Sequence, residues 1–211
     1  MRKASEIKLD ANKALIGKRG TYVLELLTFY IIESIMVAFA LTFITTDENS
    51  AVYTIFIIVC AIVQTLLIIG LISYGVNLNV NREKAIYSNM FSGFSNRAIQ
   101  KIFLVILLDI IQGIGYICFV IPGIYLTLRL NLALYIINNG DYTAIEAIKE
   151  SWRLTKGHVL DFLIFNLTFI GWLIVVMITG GLAILWVGPY YITATSYFYT
   201  DLLSEKKEIF D

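Results

Sequence analysis

The feature that most constrains this chain is a series of long apolar runs, too many and too continuous to be buried inside a soluble core of 211 residues. They cover residues 22–45, 51–76, 99–121, 124–138, 159–179 and 182–203. Most reach the roughly 20 residues needed to cross the hydrocarbon layer of a bilayer; the fourth is short for a span. Backbone polar groups in lipid must be bonded internally, which leaves helices or a closed barrel. Runs this continuous exclude the short alternating strands of a barrel. The expectation is an all-α integral membrane protein of six transmembrane helices. Composition points the same way: 58% of residues are hydrophobic, 15% are charged and mean hydropathy is +0.77. A soluble domain needs more charge to cover its surface, and no stretch is polar enough to form one, so residues 1–211 read as one transmembrane domain. The first run follows a long amphipathic lead-in and lacks a small-residue cleavage pattern, so it reads as a retained helix rather than a signal peptide.

Basic residues set the expected topology. If all six runs cross, the N-terminal lead-in, the loops after the second and fourth runs and the C-terminal tail share one side. Those segments hold 15 of the 16 lysines and arginines. The opposite turns, at Asp47-Glu48-Asn49-Ser50, Pro122-Gly123 and Gly180-Gly181, hold none. The positive-inside bias then places both termini in the cytoplasm of a multi-pass cell-membrane protein. Each pair of runs is also preceded by a segment suited to the membrane interface. In residues 4–19, Ile7, Ala11, Ala14 and Leu15 recur at helical spacing. In 143–156, Thr143 and Glu146 form a capping box ahead of a face carrying Lys149, Trp152, Arg153 and Lys156. Such a cytoplasmic amphipathic helix can rest on anionic headgroups. The middle segment, around Phe91, Phe94 and Ile99, is interrupted by glycine and serine.

Four charged residues lie deeper than the first or last three positions of their runs: Glu25, Glu33, Asp109 and Arg129. Intramembrane charges usually face the bundle interior or water. Glu25 lies near the cytoplasmic end of its run, within reach of the interface. Depth makes Glu33 and Arg129 the better pair, with Asp109 a second candidate. One reading is a polar centre of Glu33, Asp109 and Arg129 that binds an ion or headgroup or relays a proton. The other is a salt bridge that fixes packing. Helix breaks are expected at Pro122-Gly123 and Gly188-Pro189, since proline removes a backbone donor.

Negative features narrow the function. Cys60 and Cys118 lie in apolar runs and suggest no disulfide. His158 has no companions at ligand spacing, so no metal site and no cofactor are expected. No phosphate loop, dinucleotide turn or metalloprotease motif occurs, and no nucleophile–base constellation is apparent. The chain therefore reads as no enzyme, and its formal net charge of zero gives no sign of a nucleic-acid partner. Two outlines recur along it: Gly17-Lys18 and Lys156-Gly157, each followed by Leu-Thr-Phe at 27–29 or 167–169. An internal repeat and a composition repeating itself both remain open.

Several motifs together resemble a family of six-span bacterial membrane proteins known as domain of unknown function 975. They are Ser5-Glu6-Ile7-Lys8 with Ala11, Ala14-Leu15 and Gly17; Ile121-Pro122-Gly123-Ile124, Arg129 and the stretch Ala144 to Gly157; and Phe169-Ile170-Gly171-Trp172 with Pro189-Tyr190. Residues 122–157 also resemble, more distantly, the membrane domain that accompanies glycerophosphodiester phosphodiesterases, whose catalytic barrel this chain lacks. The resemblance implies fold and membrane location without a substrate. Two functions follow as expectations: a non-enzymatic helper that binds lipids or another membrane protein in envelope homeostasis or assembly, or a small transporter or channel.

Overall fold

The computed structural model describes residues 2–46, 51–80, 85–95 and 97–210. The turn expected at Asp47–Ser50 and the basic residues Arg82 and Lys84 lie outside the described residues. Every element within them is helical. A short helix α1 (Ala4–Ala14) leads into the hairpin α2 (Arg19–Thr46) and α3 (Ala51–Val80). A 3-10 segment (Tyr87–Phe94) precedes α4 (Ala98–Cys118), α5 (Val120–Leu130) and α6 (Ala133–Asn139). Then α7 (Ala144–Leu154) introduces α8 (Val159–Leu167), α9 (Ile170–Ile178) and α10 (Ile184–Phe210).

Among the described residues, five stretches are long and apolar enough to cross a membrane: Arg19–Thr42, Ala51–Val80, Ala98–Cys118, Val120–Asn138 and Val159–Ile178. The protein is a multi-pass, all-helical membrane protein. The sixth expected run falls in α10, whose tyrosines, threonines and serine set it apart from these five. Its buried polar residues Thr193, Thr195 and Ser196 face protein rather than lipid.

Two boundaries differ from the sequence expectation. The reversal expected at Pro122-Gly123 occurs at Phe119, whose backbone is extended (φ −166°, ψ 155°). Pro122 then lies in the first turn of α5, where its missing N–H removes no intrahelical bond. Gly123 is needed for closeness: a Cβ there would fall within the ring of Tyr116 on α4. The fifth run divides at Thr168–Phe169 between α8 and α9, whereas α10 continues through Pro189.

The three hairpins share an order. Their second members, α3, α6 and α10, carry most of the buried residues, and α3 packs against both α6 and α10. The first members, α2, α4 and α8–α9, are mostly exposed on their outer faces, as lipid-facing helices should be. Each preceding segment packs on the hairpin before it in cyclic order. The 3-10 segment lies on α3, α7 lies on α4, α5 and α6, and α1 lies on α10. Gly70 and Gly93 permit the first of these contacts, because a Cβ on either would strike the backbone opposite, at Met90 or Leu66. Phe162, Phe165, Phe169 and Phe198 form the largest aromatic cluster of the third hairpin, with successive centroids 4.8–6.0 Å apart. Contacts of this kind add to the area they bury.

The charged segments gather at one end. Arg2 Nε donates to Asp201 at 2.8 Å, Arg97 pairs with Asp141 at 3.0 Å, and Lys206 donates to the Arg153 carbonyl at 3.2 Å. The N-terminus, the loop after α3, the approach to α7 and the tail therefore meet.

Candidate functional site

The expected polar centre is not one site. Glu33 accepts a hydrogen bond from Gln64 of α3 at 3.2 Å, inside the first hairpin. Asp109 is exposed on α4 and makes no ion pair among the described residues. Arg129 is 5% exposed and sits between α5 and α7. The structure does not bring the three together.

What Arg129 does contact makes a site of its own. It occupies the last turn of α5, where the final carbonyls of a helix lack intrahelical partners. From α7, Ser151 Oγ donates to the Arg129 carbonyl at 2.8 Å. Thr155, the C-cap of α7, receives Arg129 Nη1 at 3.4 Å. The guanidinium lies 4.1 Å from the centroid of Trp152 and 5.6 Å from that of Tyr125, within cation–π range. Tyr125 and Trp152 meet edge to face at 6.3 Å. No carboxylate pairs with Arg129 among the described residues, and its Nε is buried without an acceptor. A buried cation costs several kcal/mol unless its charge is answered. Contact with two helix C-termini answers part of that charge.

Lys149, Trp152 and Arg153 are exposed on α7, and Lys156 is exposed just past its C-cap Thr155. They are not equivalent. Arg153 is held by Glu150 through two bonds of 2.8 and 2.6 Å. Lys149 borders a groove it shares with Asp141, Glu146 and Glu150. Trp152 and Arg129, by contrast, meet each other and no carboxylate in the contacts among the described residues. Glu146 closes the N-terminal end of α7: it accepts from the Thr143 N–H at 2.8 Å and from its hydroxyl at 2.9 Å. Those bonds hold its carboxyl below the usual range.

A second polar region was not legible in the run that contains it. Glu25 is fully buried rather than reaching the interface. The backbone of Met90 faces its carboxyl, yet neither oxygen completes a hydrogen bond. Nearby, Tyr22 donates to the Leu71 carbonyl at 2.6 Å and Tyr74 to the Lys18 carbonyl at 3.1 Å. Burial of Glu25 follows from the 3-10 segment folding back onto the first hairpin, which nothing in the local sequence announces. Pro122 and Gly123 shape the α4–α5 turn near Tyr125. Gly188 lies against Leu26 of α2. Neither break opens onto Arg129.

With this geometry in view, the comparisons are informative about kinship and silent about activity. The model of the family described as protein of unknown function DUF975 matches residues 1–127 and 116–206. The chain belongs to that family. A search of the curated proteins finds no match, and none is found among the solved structures.

Proposed function

Starting from membership of a family with no assigned activity, we propose that this protein is a non-enzymatic membrane protein that binds anionic lipid headgroups at the α5–α7 seam and so supports envelope homeostasis or the assembly of a partner. The observation that carries this reading is Arg129, a buried guanidinium with no carboxylate and an Nε without an acceptor. A phosphate oxygen complements such a group well, since charge-assisted bonds to guanidinium are among the strongest available. Trp152, 40% exposed, and Tyr125, 44% exposed, flank the approach, as amphipathic rings do at the headgroup level. Lys156 adds a second positive charge, and anionic lipids of the cytoplasmic leaflet favour such clusters.

This reading carries six membrane crossings, with α10 as the sixth, and both termini in the cytoplasm. The gathering of the basic segments at one end supports a single-sided distribution of charge. The likeness to the membrane domain beside glycerophosphodiester phosphodiesterases contributes a membrane context, and no hydrolytic activity is proposed.

The test is binding of phosphatidylglycerol and of phosphatidylcholine to the purified full chain. Arg129→Gln is expected to weaken the anionic lipid by roughly 10- to 100-fold, the equivalent of a charged hydrogen bond of about 1.5–3 kcal/mol. Phosphatidylcholine binding stays unchanged. Equal affinity of both proteins for phosphatidylglycerol excludes the site.

A transport reading rests on a different observation, the buried and unpartnered carboxyl of Glu25. It predicts that Glu25→Gln abolishes proton-coupled flux in proteoliposomes while Glu33→Gln leaves it intact. A Glu25→Gln protein that folds and fluxes normally removes that reading.

A further inference from the structure

We propose that the seam between α1 and α10 holds a second anionic-headgroup site, pseudo-equivalent to the Arg129 seam, in which Lys8 and Arg19 receive a lipid phosphate. It rests on the preceding reading for the class of ligand and on separate residues for everything else.

The equivalence comes from the backbone. Residues 4–27 and 144–167 run through the same order of helix, glycine turn and helix at a constant offset of 140 positions, and diverge at Thr168–Phe169, where α8 has ended and α2 continues. Helices Ala4–Ala14 and Ala144–Leu154 occupy matching positions, each with a glutamate reaching back to its N-cap, Glu6 or Glu146. Each ends in a turn through a left-handed glycine, Gly17 at φ 77° and Gly157 at φ 90°. The next helix begins at Arg19 or Val159, and Leu-Thr-Phe recurs in register at 27–29 and 167–169. Burial follows: Ile7, Ala11, Ala14, Leu15, Tyr22 and Phe29 are buried, and so are their counterparts Ala147, Ser151, Leu154, Thr155, Phe162 and Phe169. The two segments pack on successive hairpins of the cycle, α7 on the second and α1 on the third.

Both seams hold a cation stacked on tryptophan. At the α5–α7 seam, Arg129 comes from the hairpin and Trp152 from the short helix. Beside the α1–α10 seam both partners come from hairpin helices. Arg19, the first residue of α2, lies 3.9 Å from the ring centroid of Trp186 on α10. Its Nη2 donates to Asn12 at 2.7 Å, and its Nε is buried without an acceptor, as in Arg129. An open surface groove of about 390 Å³ adjoins its partner Asn12 and is lined also by Ser5, Lys8, Leu9, Thr168 and Tyr190. Lys8 donates to the Thr168 carbonyl at 3.2 Å and its hydroxyl at 3.3 Å, and lies 4.7 Å from the centre of Phe169. Neither Lys8 nor Arg19 pairs with a carboxylate among the described residues. The cations nearer the terminus differ, since Arg2 and Lys13 both reach Asp10.

Two cations without a carboxylate partner among the described residues, beside a groove with hydroxyl and amide groups, suit a phosphate. The surroundings suit its attachment to acyl chains: Leu9, which lines the groove, and Trp186, against Arg19, are 54% and 53% exposed. A freely soluble anion gains nothing from that apolar border.

Native mass spectrometry of the full chain in detergent, titrated with phosphatidylglycerol, tests the assignment. The wild type is expected to retain two lipids. Arg129→Gln and the double variant Lys8→Gln/Arg19→Gln each retain one, and their combination retains none. A Lys8→Arg/Arg19→Lys protein keeps both charges and is expected to keep both lipids; loss there would mean a structural role and overturn the site. If the glutamine double variant keeps two lipids while Arg129→Gln loses one, the second site falls and the first stands. The reverse pattern removes Arg129 and leaves Lys8 and Arg19 as the site. Displacement of the α1-seam lipid by inorganic phosphate would identify a soluble anion and overturn the lipid assignment.

Discussion

Segments 4–27 and 144–167 share the same order of helix, glycine turn and helix and differ in what they bury. In the first, α2 continues unbroken from Arg19 and carries Glu25 into the interior. In the second, the same position is Phe165, part of the aromatic cluster of the third hairpin, and the helix breaks three residues later. Where the first segment buries Ala11 and Leu15, the second buries Ser151 and Thr155, which hold the end of α5. The two short helices pack on successive hairpins, α7 on the second and α1 on the third. The polar content of each segment is set separately, so the chemistry of one cannot be read from the other.

The largest expected effect separates Phe165 from Glu25. Phe165→Ala removes a ring packed on Phe162, Phe169 and Phe198 and is expected to cost about 3–5 kcal/mol. Glu25→Leu, at the equivalent position, removes a buried carboxyl with no completed hydrogen bond and keeps a similar volume. It is expected to stabilise by about 1–3 kcal/mol, the cost of leaving such a group unsatisfied. Thermal unfolding in detergent reads both. Destabilisation by Glu25→Leu as severe as that of Phe165→Ala would mean that Glu25 has an interior partner and that the segments are more alike than their contacts show.

Next come the glycines, where the segments should agree. Gly157→Ala places a side chain in open space, so its cost is conformational alone, about 1–2 kcal/mol for a left-handed backbone. Gly17→Ala, at φ 77°, is expected to cost the same. A large inequality in melting temperature between the two breaks the equivalence of the turns.

Much of this architecture was legible. Apolar runs of membrane length marked the helices, and the capping pair Thr143–Glu146 marked the start of α7. The rhythm of a short segment before each hairpin appeared in the sequence as a bare outline and in the structure as a cyclic packing order. The site was less legible, because depth along a run does not fix azimuth. Depth along the runs pairs Glu33 with Arg129, but Glu33 meets Gln64, Asp109 is exposed and Arg129 meets Trp152. The burial of Glu25 depends on Met90, 65 positions away, and on a close approach that Gly70 and Gly93 permit. Nothing in the spacing announces that Arg129 stacks on Trp152.

A smaller effect sharpens the difference at the short helices. Ser151→Ala withdraws the better of the two hydroxyls at the Arg129 carbonyl, leaving Thr155 at 3.4 Å. The expected loss is about 1 kcal/mol, with a weaker grip on phosphatidylglycerol because α5 loses its tie to α7. Ala11→Ser, the matching change in α1, restores no equivalent bond and is expected to leave lipid retention unaltered. Parallel lipid titrations of the two variants check this.

The smallest effect is one of pH. The Thr143 N–H and hydroxyl bonds hold the Glu146 carboxyl below its ordinary value of about 4.3. A depressed carboxylate contributes its stabilisation fully above the unfolded value, and the contribution is lost as pH falls through the lower folded value. Acid should therefore fray the first turn of α7 without unfolding the bundle, since Glu146 is exposed and its bonds are local. The corresponding contact in α1, from the Lys3 N–H to Glu6, is longer at 3.4 Å against 2.8 Å. Hydrogen exchange between pH 6 and 3, corrected for its intrinsic pH dependence, is expected to show a greater loss of protection at residues 143–147 than at 3–7 (about pH 4 as the onset). Equal loss at both would make the two caps equivalent and confine the difference between the segments to their buried side chains.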